Sequence, residues 1–160
     1  MPKSVYIETT IPGAYFEERQ DVVSRFQRHM TRRWWDERRH EFDLYTSEAV
    51  LSEIERGSFP ARDEALRLIE GVQIIKLTED IAGVAQVYIE HFVMPGGHMG
   101  DSIHLACASV REVHYLLTWN CRHLANQNKV EHMLTINRRL GLLTPVLLTP
   151  QLLLGENADE

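Results

Sequence analysis

The sequence predicts one α/β domain, an open parallel sheet of four to five strands with helices on both faces. Three observations carry this. Short β-branched or aromatic runs recur along the chain. A segment of helical pattern separates each from the next. No repeat, low-complexity run or linker interrupts the 160 residues. That length suits a single domain with a sizeable core. The domain is read as residues 1–150, and residues 151–160, with the acidic ending ENADE, as a frayed C-terminal tail.

SVYIE (4–8) reads as a buried strand. Thr9, Thr10, Pro12 and Gly13 end it. Residues 18–41 place Val22, Val23, Phe26, Met30, Trp34 and Trp35 at near-helical spacing, which predicts one long helix or two with a break. FDLYTS (42–47) is the second strand, followed by a helix over EAVLSEIERG (48–57) stopped by Gly57. Pro60 starts another helix that runs to Glu70.

VQIIKL (72–77) is the third strand, and Thr78 caps a helix over 78–92. MPGGHMG (94–100) is a loop, and DSIHLACASVRE (101–112) a helix that Asp101 opens. VHYLLTW (113–119) is the fourth strand. A helix over 126–141 closes on Gly141, and PVLLTP (145–150) is a short fifth strand.

Composition narrows the function. A formal net charge of -6 argues against holding nucleic acid by bulk charge, so local arginines or bound cations must supply any attraction. Arg32, Arg33, Arg38 and Arg39 on the long helix, and Arg138 and Arg139 on the last, are the candidate groups; a solvated helix face is their ordinary explanation. The two cysteines, Cys107 and Cys121, form no CxxC pair, and a reducing, cytoplasmic setting is expected. MPKSVYIETT lacks a signal peptide's apolar run, and no stretch approaches the ~20 apolar residues of a membrane helix. GxGxxG and GxxxxGK[ST] are both missing, which disfavours a nucleotide-binding module. A receiver-like module would want paired acids after the first strand and a lysine after a late one; neither is present.

In open α/β sheets ligands bind at the carboxyl ends of the strands. Glu8 ends strand one, Glu53 lies one turn into the helix after strand two, Asp101 opens the helix before strand four, and Asn120 follows that strand. Each has an ordinary explanation by itself: a solvated strand end, an exposed helix acid, an N-cap, an Asx turn. Together they are four oxygen-bearing side chains from four segments. Clustered carboxylates repel one another, and a fold tolerates them where a hard divalent cation is to be held. His104, one turn after Asp101 and on its side of the helix, either faces the site or is, as a helix histidine more often is, structural or exposed. Ala106, Ala108 and Ser109 let this helix pack closely. Adjacent tryptophans cannot share one helix face, so of Trp34 and Trp35 either one is exposed as a partner surface or both pack in the core or against a second copy.

VYIETTIPGAY, TSEAVLSEIERG, GDSIHLACAS and LLTWNCRHLAN, in this order and spacing, resemble the PIN-domain family, and within it the VapC-type toxins of bacterial toxin–antitoxin systems. The resemblance covers nearly the whole chain. It implies a Rossmann-like (PIN-like) sheet and a Mg²⁺- or Mn²⁺-dependent ribonuclease that hydrolyses RNA. It places the family's three acids on Glu8, Glu53 and Asp101 as metal ligands. Its fourth position falls on Asn120, expected to orient a water or a substrate oxygen, and its polar site-lining positions on Thr9, Thr10 and Thr118. Asp101 is the ligand expected also to position the attacking water. The partners implied are an RNA substrate, a small antitoxin protein and a second copy in a homodimer, with no membrane. Two departures matter: Glu8 is one methylene longer than the usual Asp, and Asn120 is neutral. Either one ion binds firmly and a second arrives with the substrate, or the site is weak or inactive and the chain is an RNA- or protein-binding module.

Overall fold

The computed structural model describes residues 1–56, 58–93, 99–120 and 126–159, and for Gln127 the backbone alone. Gly57, the loop residues 94–98 and Cys121 lie outside the described residues. The elements follow in order as β1 (Ser4–Ile7), α1 (Thr10–Tyr15), α2 (Val22–Arg38) with a 3₁₀ turn (Arg39–Glu41), β2 (Asp43–Ser47), α3 (Glu48–Glu55) and α4 (Arg62–Leu68). Then come β3 (Gln73–Ile75), α5 (Glu79–Glu90), α6 (Met99–Val110), β4 (Tyr115–Leu117), α7 (Gln127–Leu140), β5 (Val146–Leu148) and α8 (Pro150–Leu153).

The five strands form one sheet in the order β3-β2-β1-β4-β5, every pairing parallel. Tyr6 is in register with Tyr45 on one side and Leu116 on the other. Strand order runs outward from β1 to β3, then reverses across β1 to β4 and β5. A ligand crevice belongs at that reversal, beyond the carboxyl ends of β1 and β4. Val5, Tyr6, Ile7, Leu116 and Leu117 are all fully buried, as parallel strands covered by helices on both faces require. Burying each such apolar side chain is worth ~1.5–3 kcal/mol.

Capping follows the sequence closely. Ser47 accepts from the Val50 amide at the start of α3, and Thr78 accepts from Ile81 at the start of α5. Gly141 takes φ 73° beyond α7, a left-handed position that suits glycine.

Three expectations are corrected and one helix is added. β1 ends before Thr9 as expected, and Thr10–Tyr15 is a helix where the sequence predicts no element. Pro12 sits in its first turn, where the amide it lacks has no helical partner to lose, and Ile11 and Ala14 are buried against α2. α6 begins at Met99, so Asp101 lies in its first turn rather than at its cap. Pro150 ends no strand; with Thr149 as cap it opens α8. The tail read as frayed is tied down. Leu153 and Ala158 are buried, the Lys3 amide donates to the Ala158 carbonyl at 2.8 Å, and Pro2 bridges Asp159. Arg38 holds it too, donating from Nη1 to the carbonyls of Leu154 at 2.7 Å and Glu156 at 2.9 Å.

Both tryptophans of α2 are buried, Trp34 at 0% and Trp35 at 3% exposure, so neither is an exposed partner surface. Trp34 meets Phe42 with ring centroids 5.8 Å apart, and the Arg39 guanidinium lies 5.5 Å above Trp35. Two faces of one helix are covered because α2 packs on α1 and on α8 as well as facing the core. Among the described residues no helix is long and apolar enough to cross a membrane.

Candidate active site

Glu8 follows the last residue of β1 and is 3% exposed. A buried carboxylate needs donors. It has three, all on Oε1: the Thr10 amide at 3.1 Å, the Thr10 hydroxyl, and the Thr118 hydroxyl at 2.7 Å. Each hydroxyl also accepts an amide of the segment after β4, Trp119 N–H on Thr10 at 2.8 Å and Asn120 N–H on Thr118 at 2.9 Å. Glu8 therefore fastens the start of α1 to the end of β4. The Thr9 hydroxyl is buried beside Glu53, outside full hydrogen-bond geometry among the described residues but near enough to favour the charged carboxylate.

Glu53 projects from α3 and is half-buried. Its Oε1 accepts from His104 Nε2 at 2.8 Å. The α6 backbone comes close here, since a Cβ on Gly100 would lie 3.4 Å from that same oxygen. His104 is 1% exposed, and its Nδ1 lies 2.7 Å from the Tyr6 hydroxyl. One ligand atom from each of Glu8, Glu53 and His104 falls within 4.8 Å of the others. Asp101 stands outside that set and accepts at Oδ1 from the Asn120 side-chain amide at 3.0 Å. It lines, with Glu53, Gly100 and Arg56, a cavity of about 490 Å³. Thr10 and Trp119 border a second, of about 710 Å³.

The structure thus gathers Glu8, Glu53, Thr9, Thr10 and Thr118 at one point and pairs Asp101 with Asn120 on the adjoining wall. The sequence offers His104 as site-facing or, more ordinarily, structural. Its spacing of three residues from Asp101 puts both on one side of the helix, and the structure places its ring against Glu53. Tyr6 and Ser47 read only as strand residues. Of the arginines, Arg38 is committed to the C-terminal carbonyls and Arg32 donates to the Tyr15 carbonyl at 2.7 Å, whereas Arg138 and Arg139 are exposed.

No family model matches this sequence, and no curated protein matches it. Solved structures do. A chain of a toxin–antitoxin complex from Klebsiella pneumoniae superposes with a TM-score of 0.58 at 15% identity, covering 91% of this chain and 97% of its own. A VapC toxin of Mycobacterium tuberculosis, described as cleaving the sarcin-ricin loop, gives 0.51 at 16% identity, covering 70% and 86%. The fold is PIN-like. In this PIN-like fold the buried acid follows β1, at the reversal of strand order, and the half-buried acid faces it from α3.

The groups that face one another there shift in opposite directions. Burial raises the Glu8 carboxyl above its ordinary 4.5, outweighing the His104 charge and the Thr10 and Thr118 hydrogen bonds. Burial also opposes charge on His104. The Glu53 hydrogen bond and the charges of Glu8, Glu53 and Asp101 outweigh it and raise the ring above 6.5. At Glu53 burial is in turn outweighed by the His104 hydrogen bond and charge, with the Thr9 hydroxyl and then Arg56 adding to them, and the carboxyl falls below 4.5. A raised folded-state value contributes stability fully below the unfolded value, and that contribution is lost as pH climbs through the folded value. The loss begins above 4.5 for Glu8 and above 6.5 for His104. Glu53 has the opposite sign, its contribution being lost on acidification below 4.5. In EDTA the melting temperature is therefore expected to fall as pH rises past 6.5, and His104→Gln to flatten that fall. Thermal melts from about pH 6 to about pH 9 check it; a level or rising parent curve would count against it.

Proposed function

We propose that the chain is a Mg²⁺- or Mn²⁺-dependent endoribonuclease, the toxin of a toxin–antitoxin pair. The observation that carries this is the convergence of Glu8, Glu53 and His104 within 4.8 Å at the reversal of strand order. The printed descriptions of the two fold neighbours, a toxin–antitoxin complex and a loop-cleaving toxin, support the same reading.

The residues fit a hard cation. All of Glu8's hydrogen bonds among the described residues fall on Oε1, which leaves Oε2 for a ligand bond, and Glu53 likewise spends Oε1 on His104. Oxygen donors and few of them suit Mg²⁺, which keeps several waters. Glu8, Glu53 and Asp101 would hold the ion. When bound, it would acidify water and neutralise charge building on the phosphate. Asp101 positions the attacking water and takes its proton, and the Asn120 amide fixes the Asp101 carboxylate. Thr10 and Thr118 keep Glu8 in place. Arg138 and Arg139 offer exposed positive charge to RNA in a chain of net charge -6. The chain works in the cytoplasm with a small antitoxin and a second copy of itself.

One feature favours a second reading, a PIN-like RNA- or protein-binding module of weak or no activity: Asn120 is neutral, so the site has three carboxylates rather than four. The two readings separate in one experiment. Purified protein is incubated with an RNA pool and Mn²⁺ or Mg²⁺, with EDTA as control and Asp101→Ala beside it. Cleavage is expected with either metal, lost in EDTA and lost in the folded variant. Cleavage that survives EDTA rejects the metal mechanism, and inactivity of the parent on every RNA favours the binding module.

A further inference from the structure

We infer that Tyr6 and His104 form a positioning relay that sets the Glu53 carboxylate from the core, with His104 acting on Glu53 and not as a metal ligand. This rests on the metal reading above and names the residues that tune it.

The relay is a continuous buried chain through four elements. The Val50 amide donates to Ser47 Oγ at 3.4 Å. Ser47 Oγ lies 2.7 Å from the Tyr6 hydroxyl, which lies 2.7 Å from His104 Nδ1. His104 Nε2 lies 2.8 Å from Glu53 Oε1. Ser47 and Tyr6 are 0% exposed and His104 1%, so these three side chains are shielded from bulk solvent and the relay opens to it only at the Glu53 end. Apolar residues would pack there at lower desolvation cost, and so many polar groups in one line call for a use.

The chemistry of the two ends assigns the ring. A carboxylate only accepts, so Nε2 carries a hydrogen and points it at Glu53. A nitrogen that carries a hydrogen has no lone pair for a metal. The other nitrogen, Nδ1, is spent on the Tyr6 hydroxyl in the core. His104 therefore has no free ligand atom, although it belongs to the tight cluster with Glu8 and Glu53. What it does instead is orient. Glu53 stands on a half-exposed helix with three rotatable side-chain bonds. Anchoring Oε1 through the ring leaves Oε2, which accepts no hydrogen bond of full geometry among the described residues, to face the site. Outer partners of this kind ordinarily tune metal affinity by ~10–100-fold.

Tyr6 gives the sharper test, because its hydroxyl hydrogen-bonds to neither acid and reaches Glu53 only through the ring. Mn²⁺ is titrated calorimetrically into the parent, Tyr6→Phe, His104→Gln, His104→Ala and the Tyr6→Phe/His104→Gln double variant, each checked for folding by circular dichroism. Tyr6→Phe is expected to bind Mn²⁺ about 10-fold more weakly. His104→Gln, whose amide can still donate to Glu53, should bind more tightly than His104→Ala, and the double variant no more weakly than His104→Gln. Pulsed EPR of Mn²⁺ on the parent should show no directly coordinated nitrogen. A folded Tyr6→Phe with parental affinity overturns the relay. If that variant does not fold, equal affinities of His104→Gln and His104→Ala overturn it instead. A coordinated nitrogen overturns the role given to the ring. A parent that takes up no Mn²⁺ overturns the metal reading, and the relay with it.

Discussion

Glu8→Gln is expected to yield a chain at least as stable as its parent in EDTA and slower on RNA by about 100-fold or more. The two effects have one origin. Glu8 is buried with its carboxyl pushed up by that burial, so the folded chain holds its negative charge at a cost. Glutamine keeps an Oε1 that accepts from the Thr10 amide, the Thr10 hydroxyl and the Thr118 hydroxyl, and it needs no charge to do so. It gives up the anionic oxygen that would bind a cation. Thermal melts in EDTA at neutral pH, set beside RNA cleavage in Mn²⁺, read both. Parental cleavage by this variant would remove Glu8 from the site. Glu8→Ala confounds the two readouts, because it also strands the three donors in the interior.

Trp34→Ala is expected to cost about 3–5 kcal/mol, in the range of large-to-small core changes. For a chain of this size that is a loss of roughly 10 °C in melting temperature. Trp34 is fully buried between Trp35 and Phe42, where its removal leaves a cavity that the sheet cannot close. Trp34→Phe should cost much less. The Trp34 indole N–H has no hydrogen-bond partner among the described residues, so phenylalanine deletes an unpaired polar group along with some volume. Denaturant unfolding of both variants decides it. An alanine variant within 1 kcal/mol of the parent, on the order of a surface change, would mean that Trp34 is not core.

Much of the fold was legible because the strands announce themselves. Val5-Tyr6-Ile7 and Tyr115-Leu116-Leu117 are apolar on both faces, which only a covered parallel sheet demands. Thr78 and Gly141 mark helix ends by chemistry that is local. What misled was punctuation read without position. Pro12 and Pro150 each sit in a helical first turn, where proline costs nothing: the one, read as ending a strand, also lies in a helix, and the other opens a helix rather than ending a strand. The site was partly legible. Strand ends pointed to Glu8, and the helices beside them to Glu53 and Asp101. That Asn120 serves Asp101 depends on side-chain reach across the switch point, which spacing does not encode. For His104 spacing gives the side of the helix but not the partners. Its neighbours in sequence are apolar, and its partners Tyr6 and Glu53 come from distant segments.

The bond from Thr118 to Glu8 spans 110 residues. Contacts of that sequence separation form slowly, since a long loop must close before they reward the chain. During synthesis β1 is made before β4 and waits, and its central pairing becomes possible only once the chain has been made as far as Leu117. The acids cannot be held in their working arrangement on a nascent chain. Any activity of this site is thus timed by topology: it switches on late, all at once, with the closing of the sheet.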